Sequence, residues 1–141
     1  MPTADWTPPI LTDEDLVDIF LNGHCGSYAV AAAAILESRG MTGVGISLLF
    51  DDEQEPNTSD GRGAIHAFVS CDGFDADARG VRTPADMAEE YGLMGWDVDG
   101  PYSPQELAAM FDEPIDIGID PEAIAAAELM MARNPGLLEP A

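Results

Sequence analysis

The chain has no lysine. Its 141 residues carry five arginines against 27 acidic residues, a formal net charge of −22 with histidine neutral. A surface this short of cations repels phosphate backbones and anionic headgroups, so direct nucleic-acid binding and membrane-surface binding are excluded. Long apolar runs are missing as well, and no segment approaches the roughly 20 residues that a membrane-crossing helix requires. The opening residues 1–9 hold neither a basic region nor an apolar stretch, so no secretory leader is expected. Cysteine is scarce. Cys25 and Cys71 are the two present, and both read as free thiols in a reducing, cytoplasmic compartment, with Cys71 buried and inert. No cofactor is expected.

What is present suits one folded domain. Apolar residues make up 46% of the chain and aromatics 7%, enough for a core at this length without a disulfide or metal. The acidic excess has two readings. One is solubility in a high-salt cytoplasm, where screening shortens the self-repulsion. The other is imitation of the DNA phosphate array by a non-catalytic acidic binding protein. The carboxylates are scattered through amphipathic segments instead of massed on one helix, which favours the first. A peptide or protein substrate carrying basic groups would suit either surface.

Local signals divide the chain into an extended arm (1–11), a single domain (12–133) and a frayed tail (134–141). Thr12 precedes three acidic residues and an amphipathic run, predicting a helix near 13–21 that Asn22-Gly23 breaks. A second helix is predicted from Cys25 to Ser38. Its alanine-rich middle has no polar face, so it is the buried central helix. A strand is expected over 44–50 and an acidic loop over 51–63. Strands at 64–71 and 74–78 flank Asp72-Gly73, a strong two-residue hairpin signal. Three capped helices follow near 84–91, 104–111 and 121–133, covering the edges of the sheet. The fold class is α+β: a central cysteine-bearing helix packed on a small antiparallel sheet.

The hairpin makes a geometric test possible. With Asp72-Gly73 as the turn, Cys71 faces Phe74 and paired numbers sum to 145. One face then holds Ile65, Ala67, Val69, Cys71, Phe74, Ala76 and Ala78. The other holds His66, Phe68, Ser70, Asp75, Asp77 and Arg79. His66 lies opposite Arg79 and diagonal to Asp77, within side-chain reach; Asp75 is too far along the strand. A shift of one residue would send Asp77 to the wrong face.

These residues carry a chemistry. Cys25 in the first helical turn is placed where backbone N–H groups and the helix dipole favour a thiolate. His66 can serve as its base and Asp77 can orient the base. Asn22 is a candidate oxyanion donor and equally a candidate helix cap. A metal site of His24, Cys25 and His66 is disfavoured, because zinc wants a further ligand at ordered spacing. Arg79 reads as an exposed charge partner.

Three stretches, Gly23-His24-Cys25-Gly26-Ser27-Tyr28-Ala29, Ile65-His66-Ala67-Phe68-Val69 and Phe74-Asp75-Ala76-Asp77-Ala78-Arg79-Gly80-Val81, appear in that order. Together they resemble the papain-like superfamily, in particular its transglutaminase-like and small bacterial or phage cysteine hydrolase branches. The resemblance covers about residues 22–81. It implies a papain-like core with Cys25 as nucleophile, His66 as general base and Asp77 as orienting acid. It also implies a hydrolase or acyltransferase acting on an amide, isopeptide or ester bond.

Overall fold

A computed structural model of the chain describes residues 13–21, 24–55, 58, 61, 63–110 and 119–139. The elements run α1 (Asp13–Leu21), α2 (Cys25–Ser38), β1 (Gly45–Asp51), β2 (Ala64–Cys71), β3 (Phe74–Asp77), β4 (Gly80–Val81), α3 (Pro84–Glu90), β5 (Trp96–Tyr102), α4 (Pro104–Ala109) and α5 (Pro121–Arg133), then a 3-10 turn at Pro135–Leu138. The described strands form one five-stranded antiparallel sheet in the order β4-β3-β2-β1-β5. The class is α+β. The expected arm at 1–11 and the Thr12 cap lie outside the described residues.

Small side chains let α2 lie close to its neighbours. Ala29, Ala31, Ala32, Ala33 and Leu36 are buried where the helix packs on β1, β2 and α5. The helix α5 turns Ala123, Ala126, Ala127, Met130 and Met131 inward, the stripe expected of one face of a 3.6-residue helix. These side chains, with Leu16, Phe20, Ile46 and Leu48, make the larger core. Successive strand residues face opposite ways, so Leu49 leaves Leu48 behind and joins Phe68, Met87 and Ala88 in a second core. Thus α3 covers the second face of the sheet and not its edge, as the sequence had suggested. Neither Leu49 nor Phe68 retains more than 1% of its surface, so α3 seals the centre of this face.

The hairpin register is the expected one: Cys71 pairs with Phe74, Ser70 with Asp75 and Val69 with Ala76. Gly73 takes φ 117° at the turn, a conformation that L side chains rarely adopt. Two details differ. The strand β3 ends at Asp77, and Ala78-Arg79 form a turn into β4, so Arg79 never comes opposite His66. On the other side of β2 the pairing with β1 shifts between Leu49 and Phe50. This bulge turns Ile65 out of step with Ala67, and it packs beside Phe68 in the second core.

Two strands and the final turn were not expected. In β5, Asp97, Asp99, Gly100 and Pro101 are residue types that strands usually avoid. Yet this is an edge strand, where acidic residues and proline are tolerated. Its Val98 N–H donates to Asp97 Oδ1 and its Gly100 N–H to Asp99 Oδ1, both at 2.9 Å. The predicted frayed tail is also corrected: Pro135–Leu138 forms a 3-10 turn and Leu138 keeps 3% of its surface. Apolar Leu138 is held by the larger core. Among the described residues, no single helix is long and apolar enough to cross a membrane.

Candidate active site

Asp77 is placed by the hairpin. It closes β3 just before the Ala78-Arg79 turn, on the sheet face that carries His66 and Phe68. His66 Nε2 lies 3.0 Å from Asp77 Oδ2, and the two residues each retain 1% of their surface. The expected diagonal pairing is therefore made. The ring also stacks near Phe68, with centroids 6.3 Å apart.

Cys25 arrives from the other direction, as the first residue of α2. It makes a side-chain hydrogen bond with His66. Cys25 retains 5% of its surface, so the thiol is enclosed but is the least buried of the three. His24, and not Asn22, is the N-cap of α2, and it provides no side-chain capping bond. Asn22, the oxyanion candidate, lies outside the described residues.

Three residues at this site escaped the sequence reading. Arg82 Nε stands 3.0 Å from both oxygens of Asp77, and its Nη2 also donates to Oδ2. The backbone N–H of Arg79 donates to Asp77 Oδ1 at 3.0 Å. The carboxylate thus meets donors at both oxygens, close to its full accepting capacity. Behind it, Arg82 Nη1 lies 2.7 Å from Glu90 Oε1, while Arg79 Nη2 lies 2.7 Å from Glu90 Oε2. Arg79 is indeed an exposed charge partner. Its partner is Glu90.

Tyr91 completes the arrangement. Its hydroxyl donates to the Leu21 carbonyl at 2.6 Å and lies 3.1 Å from His66 Nδ1. Helix geometry fixes where Tyr91 sits. It is the C-cap of α3, followed by Gly92 at φ 68°. Gly92 N–H donates to Glu89 O and Leu93 N–H to Ala88 O, both at 3.0 Å, the double bond of a Schellman ending. Leu93 and Ala88 meet in the second core, the apolar contact that accompanies this motif. The sequence signal was Tyr91-Gly92-Leu93 at the end of a capped helix. It fixes a helix terminus, but no local pattern says that a histidine 25 residues earlier waits there.

The electrostatics follow from these contacts. Burial works against a charged His66, but hydrogen bonds with Asp77 and Cys25, and their charges, outweigh it and push the imidazole up to about 9. Burial would likewise raise the Asp77 carboxyl; bonds from His66 and Arg82 overcome it and hold the group below its ordinary value. Burial raises the Tyr91 phenol, helped by the charges of Cys25 and Asp77, so this hydroxyl stays protonated. Tyr28, one turn after Cys25, is raised by burial and by Asp77.

Cys71 is half-buried and not fully enclosed as expected; its thiol is pushed up by burial and by neighbouring Asp72 and Asp75. Among the described residues no cluster of three or more His, Cys, Asp or Glu side chains is grouped to hold a metal ion. No protein-family model, no curated protein and no solved structure matches the chain.

Proposed function

We propose that the protein is a cysteine-dependent hydrolase or acyltransferase with a papain-like or transglutaminase-like arrangement, acting on an amide, isopeptide or ester carbonyl. One observation carries this reading: a single buried imidazole is bonded on Nε2 by the Asp77 carboxylate at 3.0 Å and bonded also by the Cys25 thiol. An imidazolium held beside a sulfur is the arrangement that generates a thiolate. The Cys25 sulfur would attack the carbonyl carbon and form a carbon–sulfur bond. The resulting oxyanion would be met by backbone N–H groups in the first turn of α2. His66 would then give its Nδ1 proton to the departing amine or alcohol as the acyl–heteroatom bond breaks. Water, activated by the neutral ring, would release the acid and restore the thiol; an amine acceptor would give acyl transfer instead. The acidic surface suits a peptide or protein substrate with basic groups. Free thiols at both cysteines suit a reducing cytoplasm.

A second reading is an acidic binding protein on an inactive scaffold. The 5% exposure of Cys25 favours it, because a nucleophile must be reached. Labelling decides between the two. Iodoacetamide at pH 7, read by mass spectrometry, should modify Cys25 well ahead of Cys71. His66→Ala should slow that reaction at least tenfold. A panel of aminomethylcoumarin amides and thioesters of basic peptides should then show turnover that Cys25→Ser abolishes. Equal, slow labelling of both thiols with no turnover would leave the binding protein as the better account.

A further inference from the structure

The hydrogen-bond pattern around His66 fits a ring protonated on both nitrogens. Tyr91 owns one hydroxyl proton, and at 2.6 Å it is given to the Leu21 carbonyl. The phenol oxygen facing Nδ1 at 3.1 Å can then only accept, so Nδ1 must bear a hydrogen. On the other edge, an ionised carboxylate accepts and does not donate, so Nε2 must bear one as well. With these roles both ring nitrogens are donors, and we infer that the resting ring is an imidazolium.

We propose that Tyr91 is a positioning residue of this site: anchored on the Leu21 carbonyl, its hydroxyl holds the His66 ring through Nδ1 in its place beside Cys25. This deepens the proposed acyl chemistry and rests on it for its purpose, though not for its geometry. The anchor follows from the fold. Leu21 is the last residue of α1, so its carbonyl has no partner further along that helix. The carbonyl accepts a hydroxyl that the Schellman ending of α3 delivers. One side chain therefore ties the end of α1, the end of α3 and the strand β2 together at the reacting ring. The Tyr91 and His66 ring centroids are 5.1 Å apart at 49°, a tilted ring contact that lies beside the hydroxyl contact to Nδ1.

The role has chemical content. During attack, the sulfur gives up its hold on the imidazole as it bonds to carbon. Without another acceptor the ring would be held on the Asp77 side alone and could turn its proton away from the departing group. The Tyr91 oxygen retains it. The charged and titratable groups facing His66 are Cys25 from α2, Asp77 from β3 and Tyr91 from the end of α3. Arg82 and Glu90 stand behind Asp77.

Nitrogen-15 NMR of histidine-labelled protein tests this directly. In the wild-type chain both His66 ring nitrogens should carry protons at pH 7, and the ring should titrate near 9. In Tyr91→Phe, which keeps the ring and removes only the hydroxyl, the midpoint should fall by about one pH unit. Cys25 alkylation by iodoacetamide should shift its pH profile in step. Tyr91→Phe with an unchanged His66 midpoint overturns the proposal. So does a wild-type ring whose Nδ1 is bare at pH 7, a result that needs no variant and stands even if Tyr91→Phe does not fold. Should the NMR shift appear while no substrate is ever turned over, the positioning role holds and the acyl chemistry falls.

Discussion

Arg82 clasps Asp77 through both carboxylate oxygens, on the same group that receives His66 Nε2. Asp77 is therefore shared between a permanent cation and a titratable one. Arg82 keeps 14% of its side-chain surface and Asp77 2%, so this is a largely buried pair. Taking one partner from a buried pair leaves an uncompensated charge. Arg82→Gln should destabilise the fold by about 3 kcal/mol, seen by urea unfolding. The His66 midpoint should not fall in that variant, since the carboxylate's whole charge then faces the imidazole. A fall would mean that Arg82 is needed to aim the carboxylate.

The His66 shift sets a pH dependence of stability with a definite sign. The imidazole is raised from 6.5 when unfolded to about 9 when folded. The contribution is full below pH 6.5 and lost as pH rises through 9. The difference corresponds to about 3 kcal/mol. Asp77 acts in the opposite direction: its folded value is depressed, so its contribution holds above the ordinary carboxylate range and is lost as pH falls through that lowered value. Stability should thus be greatest between about pH 4.5 and 6.5. Urea midpoints measured from pH 4 to 10 should decline on the alkaline side for the wild type. His66→Gln should flatten that decline, and a wild-type profile flat from pH 6 to 9 would refute the raised imidazole.

Within the proposed chemistry, Asp77→Asn separates charge from shape. The amide leaves His66 without an anion on Nε2 and sets an N–H₂ group beside Arg82. Reaction of Cys25 at pH 7 should fall by about 10²-fold or more. Because the variant also loses a buried ion pair, unfolding must be followed alongside the rate. The rate loss should persist at temperatures where the variant is fully folded.

How far the sequence revealed this depends on the range of each signal. The Asp72-Gly73 turn is local, and its register carried His66 to Asp77 across 11 positions. Periodicity placed α2 and therefore Cys25. Arg82, Glu90 and Tyr91 were invisible because elements distant from the hairpin signal bring them in. Glu90 and Tyr91 meet the site because α3 folds over the second face of the sheet, which was assigned to chemistry, not packing; Arg82 meets it because β4, an unexpected strand, carries the chain back along β3. Phe68 beside His66 was the overlooked hint, since a buried aromatic needs a cover. Ile65 was misplaced because a bulge leaves no mark in a run of apolar residues. The strand β5 was missed because composition measures burial, and an edge strand with 39% of Trp96 exposed has little.

Charge on this scale predicts a salt response. With 27 acidic residues against five arginines, self-repulsion opposes the compact state and screening relieves it. The melting temperature should rise between 0.1 M and 3 M KCl, by about 4 °C for each kcal/mol relieved. Reversing exposed acidic residues, such as Glu37 and Glu128 to lysine, should reduce the response. A melting temperature indifferent to salt would show that the carboxylates are already compensated.

The edge of β5 carries a device against self-association. Strand edges present N–H groups that another strand can pair with. Here Asp97 and Asp99 each turn a carboxylate oxygen onto the N–H of the next residue, Val98 and Gly100, at 2.9 Å. Pro101 follows and has no N–H to offer. The carboxylates therefore occupy donors that an incoming strand would need, and they add charge at the place of approach. Replacing both with alanine frees the two N–H groups and removes two negative charges beside exposed Trp96 and Met94. Asp97→Ala/Asp99→Ala should self-associate at concentrations where the wild type does not, read by light scattering in 3 M KCl, where general repulsion is screened. Asp97→Asn/Asp99→Asn keeps an acceptor oxygen at each position and should aggregate less than the alanine pair. Equal aggregation of the two variants would assign the protection to charge alone, and none in either would leave the edge guarded by Pro101 and the local chain path.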